Sequence, residues 1–319
     1  MGSHGAGIMT RSQAALAGLG ITVVLFSQVR RRDQVFDIGY VPAVYSVGPA
    51  FQGMQRLIVF PLTGKAETSV PLPSPLGTVI FGPSGRTLYA SAGLQSPGER
   101  PSSALLKIQF NPIRVNTIPL SENFRFRSAE AVSKREDKMV VAGQYWDGAQ
   151  LVCGVFLLEF DTANVHQALA TKDCDDAKSR TGITLSPDGT KAIAIYRHSL
   201  ELIELTKSTS KIVAKGFWKA AWSPDGKWLT AADDHAPEKT FVLDAGTFER
   251  IRTVDGPPPV WSPDSRYLLT SGWQFPCGPY GYTFELTDIE TGKRSTVESS
   301  KCKVVGNQIG WVDAGILPN

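Results

Sequence analysis

No motif of an established catalytic machinery occurs in this chain. A Gly-x-Ser-x-Gly elbow, a His-Glu-x-x-His pair, a Gly-x-Gly-x-x-Gly turn and a Walker loop are all missing. Their absence removes nucleophile-elbow hydrolases, helix-borne zinc peptidases and phosphate-cradling nucleotide enzymes from the candidate functions. Charge of one sign is scarce as well. Lys and Arg number 33 against 30 Asp and Glu, a net charge of +3, and the basic residues are scattered rather than striped, so no nucleic-acid partner is expected. Nothing in the composition calls for a cofactor. Long apolar runs are limited to the stretch from Ala14 to Ser27, preceded by Arg11. That is the length of a signal-peptide core and short for a membrane-spanning helix.

No small-x-small cleavage site follows this run; Gln28-Val29 leads straight into Arg30-Arg31-Arg32. A retained membrane tether over residues 14–29 therefore stands beside a cleaved signal. The three arginines after the run oppose export by the positive-inside rule, whereas the cysteines described below argue for it. Residues 1–35 are accordingly set apart as a signal or anchor segment with its linker, and residues 36–319 as one folded domain.

What the chain does contain is a recurring tag. Ser186-Pro187-Asp188-Gly189, Ser223-Pro224-Asp225-Gly226 and Ser262-Pro263-Asp264-Ser265 each follow an apolar run and precede another, as in Trp228-Leu229-Thr230-Ala231-Ala232. Pro187, Pro224 and Pro263 recur at a nearly constant step, close to the period of about 40 residues of a β-propeller blade. Pro pre-sets φ at about −65°, Asp bonds backbone two residues on, and Gly takes the positive φ that closes a tight turn. Asp188, Asp225 and Asp264 are thus read as turn hardware rather than metal ligands or catalytic acids. Ser265 in place of Gly is a change that a turn tolerates better than a catalytic site would.

Weaker copies extend the pattern. Gly82-Pro83-Ser84-Gly85, the longer Ser133-Lys134-Arg135-Glu136-Asp137, and the stretch from Ile309 to Gly315 bring the tag positions to six, near residues 83, 134, 187, 224, 263 and 313. Each unit reads as four antiparallel strands, a to d. In the fifth, a is Lys219 to Ser223, b Lys227 to Ala232, c Thr240 to Leu243 and d Glu249 to Val254. The last tag leaves no room for b, c and d, but Val41 to Val47, Leu57 to Phe60 and Thr68 to Leu72 can supply them from the other end of the chain. The expectation is an all-β, six-bladed propeller whose ring closes by pairing of the N- and C-terminal strands, leaving no open sheet edge.

The Trp-Ser-Pro-Asp-Gly-Lys-Trp-Leu run at 222–229 resembles the Pro-Asp repeat of TolB-like propellers, a WD-repeat-like family. The resemblance is good over 183–290 and fair over 75–145. It implies a six-bladed propeller that binds partners on one face and carries no catalytic residues over to this chain. The separate N-terminal α/β domain of the name-giving members has no counterpart in this sequence.

In the blade frame the four cysteines fall into two equivalent pairs. Counted from the tag of their own blade, Cys153 and Cys277 take similar early places, and Cys174 and Cys302 similar late ones. Strand c starts where strand d ends, so each pair meets on one rim. Two intrablade disulfides, Cys153–Cys174 and Cys277–Cys302, are expected, with four free thiols or a zinc site as alternatives. Disulfides imply a periplasmic or extracellular location.

The loops opposite the tags carry the chemistry that a partner would meet. Tyr145, Trp146, Trp218, Trp273 and Phe275 are aromatic candidates for a binding face, since aromatic and Arg side chains dominate hot spots, with a core wedge as the alternative for Trp218. His198 and His235 stand at the same offset from Pro187 and Pro224 of their tags, and with Asp233 and Asp234 they form a candidate divalent-metal set. Trp222, Trp261 and Trp311, each directly before a tag, read as core wedges. The leading expectation is a non-enzymatic, extracytoplasmic binding module for a protein or peptide. The alternatives are a propeller hydrolase or lyase using the His- and Asp-rich loops, and a small-molecule or sugar sensor. Non-reducing peptide mapping should return cross-linked peptides containing Cys153 with Cys174 and Cys277 with Cys302; four alkylatable thiols would remove both the pairing and the export argument.

Overall fold

The computed structural model describes residues 40–47, 55–59, 68–72, 76, 79–94, 102–110, 112–118, 120, 124–146, 148–171, 174–271, 283–298 and 306–314. The chain divides between Val35 and Phe36 into two units. The first unit, with the apolar run 14–29, lies outside the described residues, as do Trp273, Cys277 and Cys302. No helix among the described residues is long and apolar enough to cross a membrane.

The described part of residues 36–319 is a β-propeller of four-stranded antiparallel blades. One sheet joins β1 (Tyr40–Val47), β2 (Gln55–Val59) and β3 (Thr68–Pro71) to the last strand, β24 (Gly306–Asp313). The β1–β24 register runs from Tyr40 opposite Asp313 to Ser46 opposite Gly306. The other five sheets are each four consecutive strands. They are β4 (Val79–Phe81), β5 (Thr87–Leu94), β6 (Ser102–Gln109) and β7 (Arg114–Ile118); then β8 (Phe124–Val132), β9 (Lys138–Trp146), β10 (Leu151–Glu159) and β11 (Val165–Ala170). Next come β12 (Arg180–Leu185), β13 (Lys191–Tyr196), β14 (Ser199–Glu204) and β15 (Thr209–Lys215), followed by β16 (Phe217–Trp222), β17 (Trp228–Asp233), β18 (Lys239–Asp244) and β19 (Arg250–Asp255). The fifth is β20 (Val260–Trp261), β21 (Tyr267–Ser271), β22 (Thr283–Asp288) and β23 (Arg294–Glu298).

The burial pattern explains why the blades stack. In β13, Ala192 to Ile195 are all buried, so neither face of the sheet meets water. Leu229 to Ala232 of β17 and Thr240 to Leu243 of β18 repeat this pattern. The cover comes from neighbouring blades: Val140 and Val155 pack with Ile183, Ala192 and Ile203, and Ile193 and Leu202 pack with Phe217, Leu229 and Phe241. Burying one such side chain is worth about 1.5–3 kcal/mol, which an isolated blade would forfeit on both faces. The outermost strands behave differently. β7 and β15 are largely exposed, and β15 carries Lys211 and Lys215, charges that discourage edge-to-edge pairing.

The tags do what their composition dictates. The Ser hydroxyl donates to the Asp carboxylate at 2.6 Å in Ser186–Asp188 and in Ser223–Asp225, and the Ser262–Asp264 pair repeats the bond. The same hydroxyls accept the backbone N–H groups of Lys191, Trp228 and Tyr267. Asp188, Asp225 and Asp264 then accept the amides of Thr190, Lys227 and Arg266. Partial burial opposes ionisation of Asp188, yet the bonds from Ser186 and Thr190 hold its carboxyl below the usual range. These aspartates are turn residues.

Five equivalent positions close the turn in the left-handed region: Gly85, Glu136, Gly189, Gly226 and Ser265, with φ between 56° and 77°. Left-handed backbone costs a non-glycine residue about 1–2 kcal/mol. Both non-glycine residues make a compensating bond to the preceding blade. The Ser265 hydroxyl accepts the Asp225 N–H at 2.8 Å, and the Glu136 carboxylate accepts the Ser84 N–H at 3.0 Å. In each case the donor is the third residue of the neighbouring tag. Glu136 also receives the Thr87 and Tyr89 hydroxyls. Burial opposes its ionisation, but these bonds together hold it below the usual carboxylate range, while burial and Glu136 push the Tyr89 phenol far up.

Of the tryptophans before the tags, Trp222 is half-buried against the cluster of Phe217 and Phe241, and the other two are wedges, as their position implied. Trp261 and Trp311 are buried, and their indole N–H groups donate to the carbonyls of Ala221 and Val260 in the preceding blade. Ser265→Ala, which keeps a Cβ at positive φ and removes the acceptor, should lower unfolding free energy by about 1–2 kcal/mol. Ser265→Gly should cost about 1 kcal/mol less than that, because the strain goes with the hydroxyl. Urea denaturation of both variants measures the difference, and equal losses would refute the compensation.

Candidate functional site

Tags join strands a and b, so the b–c hairpins and d–a crossings gather on the opposite rim. After β11 the chain crosses to the next blade through a short helix, α1 (Cys174–Lys178). This helix was not anticipated from the sequence, because so short a segment cannot show a helical period. Its first residue, Cys174, forms a disulfide with Cys153, the buried third residue of β10. Thr171 reinforces the attachment by donating its N–H and its hydroxyl to the Cys153 carbonyl at 3.2 and 2.9 Å.

Beyond the disulfide, α1 is held to the next blade by charge. The Arg180 guanidinium donates to Asp176 at 2.9 Å and to both carboxylate oxygens of Glu201, at 2.6 and 3.0 Å. Arg180 and Glu201 are 8% and 4% exposed, which makes this a buried, bidentate pair. Ser210 donates to Glu201 at 2.7 Å, and the Tyr196 hydroxyl donates to Asp176 at 2.8 Å. Burial opposes ionisation of Asp176, but Arg180 and Tyr196 outweigh it and hold the carboxyl low; Asp176 in turn pushes the Tyr196 phenol up. Every charged member of this network has a partner, so it serves as a rivet rather than as an acid–base pair.

Two guanidinium groups lie over the Tyr196 ring, Arg180 at 4.3 Å and Arg197 at 5.0 Å from its centre. It also ends β13. Tyr196 pairs with Ser199, leaving Arg197 and His198 as a two-residue hairpin turn with φ of 50° and 60°. A turn of this type favours Asn-Gly, and two larger residues in it store strain. The His198 carbonyl accepts the N–H groups of Gly216 and Phe217 at 2.7 and 3.0 Å, joining the hairpin to the start of the next blade. Its imidazole Nδ1 meets Asp234 Oδ1 at 2.9 Å while the side chain remains 69% exposed.

Of the metal-ligand candidates, the structure brings together His198 and Asp234. Asp233 is occupied in its own turn, where its Oδ1 accepts the N–H groups of His235 and Ala236 at 2.8 and 3.3 Å. His235 is exposed on the same loop. No group of three or more His, Cys, Asp or Glu side chains that could hold a metal occurs among the described residues.

Of the aromatic candidates, Tyr145 is half-buried against a core cluster containing Phe124 and Val132. Trp146 ends β9, and Trp273 and Phe275 lie outside the described residues. Trp218 is 38% exposed. It is the extra residue of a β-bulge: Phe217 pairs with Asp233 and Lys219 with Ala232, its immediate neighbour. Bulges re-aim side chains beside functional sites. The sequence signal was the apolar spacing from Phe217 to Ala220, one position more than strand alternation allows.

The chain matches no protein-family model and no curated protein. Solved structures do resemble it. A TolB candidate from Agrobacterium tumefaciens superposes with a TM-score of 0.51 at 12% identity, over 81% of this chain and 87% of that one. An oligogalacturonate lyase in complex with manganese gives a TM-score of 0.51 at 13% identity, over 77% and 71%. Hydrazine synthase from Kuenenia stuttgartiensis, at a TM-score of 0.39, is spanned over 48% of its length. The first two likenesses establish the fold alone.

Removing Arg180 leaves Glu201 charged and buried. Arg180→Met should therefore cost about 3–5 kcal/mol, and Arg180→Met with Glu201→Leu markedly less. Denaturant titration reads both, and a double variant as unstable as the single one would contradict the rivet.

Proposed function

We propose that this chain is a non-enzymatic, extracytoplasmic six-bladed propeller, closed into a ring, that presents the rim opposite its tags to a protein or peptide partner. The ring reading rests on two joins: β24 completes the sheet of β1 to β3, and the Trp311 indole reaches the Val260 carbonyl of β20. The export reading rests on the disulfide between Cys153 and Cys174, which persists in an oxidising compartment.

One observation carries the binding reading. On this rim the carboxylates Asp176, Asp233 and Asp234 are engaged in bonds that build turns or join blades, whereas Arg197, His198 and Trp218 are exposed. Carboxylates held this way lack the freedom that acid–base work requires, and exposed Trp and Arg are the side chains that anchor partners. Tyr145, Trp146, His198, Asp233, His235 and Trp273 are the binding residues proposed from the sequence, with residues 14–29 as a signal or tether.

The second reading is a hydrolase or lyase built on His198, His235 and the Asp-rich loops, and it draws on the likeness to the manganese-bound lyase. A small-molecule or sugar sensor is the third. Affinity capture from the native envelope fraction should yield a partner with the wild type and lose it with a Trp146→Ala, Trp273→Ala double variant; an identical set from both would sink the aromatic-face reading. A saturable rise in melting temperature with manganese or zinc, abolished by His198→Ala, would replace the binding module with the second reading.

A further inference from the structure

Resting on that reading, we infer that the partner is recognised at the junction of the β12–β15 and β16–β19 blades through an acidic segment, a carboxylate side chain next to an apolar one, held by Arg197, His198 and Trp218. The three residues come together through backbone. Arg197 and His198 form the two-residue turn, and the His198 carbonyl binds the Phe217 N–H at 3.0 Å, one residue before Trp218.

The turn chemistry runs against economy. Both residues sit at positive φ, where Asn-Gly would be free of strain. Strain retained at an exposed position points to a use for the side chains there. Their surroundings pre-organise them. The Arg197 guanidinium rests on the Tyr196 ring, which limits its motion, and its N–H edge is left for a carboxylate. His198 is oriented through Nδ1 by Asp234 of the next blade, so Nε2 is the remaining nitrogen of an exposed ring, a donor to a carboxylate in the imidazolium form and an acceptor in the neutral one. Trp218 adds an exposed indole face that the bulge keeps out of the strand alternation.

Charge complementarity selects the partner. Lys215, opposite Ser199 in the register, adds a further exposed cation beside the turn. Among the nearby carboxylates, Asp234 is engaged by His198, Asp233 by its own turn amides and Asp176 by Arg180 and Tyr196. A carboxylate can take the Arg197 guanidinium and, when His198 is the imidazolium, a second N–H donor, with its apolar neighbour on Trp218, whereas a lysine side chain would meet the like charges of Arg197 and Lys215.

The probe is a fluorescein-labelled Gly-Glu-Phe-Glu-Phe-Glu-Gly amide, with the Lys-for-Glu peptide as control, read by fluorescence anisotropy on the full chain at physiological salt. The acidic peptide should bind and the lysine peptide should not; Arg197→Gln and Trp218→Ala should each weaken binding at least tenfold. Replacing the turn by Asn-Gly (Arg197→Asn with His198→Gly) should abolish binding while the melting temperature stays at or above that of the Arg197→Gln variant. Equal binding of both peptides, or retained affinity in the folded Arg197→Gln variant, would overturn the assignment. Capture of the envelope partner by Arg197→Gln but not by the Trp146→Ala, Trp273→Ala variant would discard this site and leave the loop-face reading standing. Loss of neither would discard both.

Discussion

A four-stranded blade with apolar side chains on both faces has nowhere to hide them except against another blade. The central strands of this chain, with four consecutive buried positions in β13 and again in β17, impose that constraint. Stacking then determines which residues are inner, which are outer, and which loops share a rim. The bonds between blades are consistent with it. Ser265 and Glu136 reach back to the preceding turn, Trp261 and Trp311 reach back to the preceding inner strand, and each polar contact accompanies an apolar one already demanded by burial.

The rim opposite the tags is organised by a different principle. A crossing segment between blades has no sheet partner, so its backbone needs other anchors. Here the Cys153–Cys174 disulfide ties α1 to one blade, and Asp176, Arg180 and Glu201 tie it to the next. That double attachment fixes Tyr196, and Tyr196 borders the strained Arg197–His198 turn. Rigidity built in this way limits the motion of the side chains at the turn.

Much of the fold was legible in the sequence because its turns are local. Ser, Pro, Asp and Gly at fixed offsets satisfy one another within a single turn, and the hydrogen bonds of the three tags are those their composition requires. The Cys153–Cys174 pairing was legible through the blade frame, since strand c begins where strand d ends. The candidate site was less legible. Asp233 and Asp234 are adjacent and chemically identical, and which one caps a turn and which one meets His198 depends on a neighbouring blade. Arg180 and Glu201 lie on different strands, with no local pattern to announce a buried pair.

The sequence alone therefore determined the unit and its period, because turn chemistry and strand alternation act over short stretches of chain. It also identified Trp261 and Trp311 as structural and the tag aspartates as turn residues. Only the tertiary structure decided which rim side chains are engaged and which are exposed. Exposure of Trp218, engagement of Asp234 and burial of Arg180 are properties of two blades in contact. A contact between segments far apart in the chain has no local signature in either one.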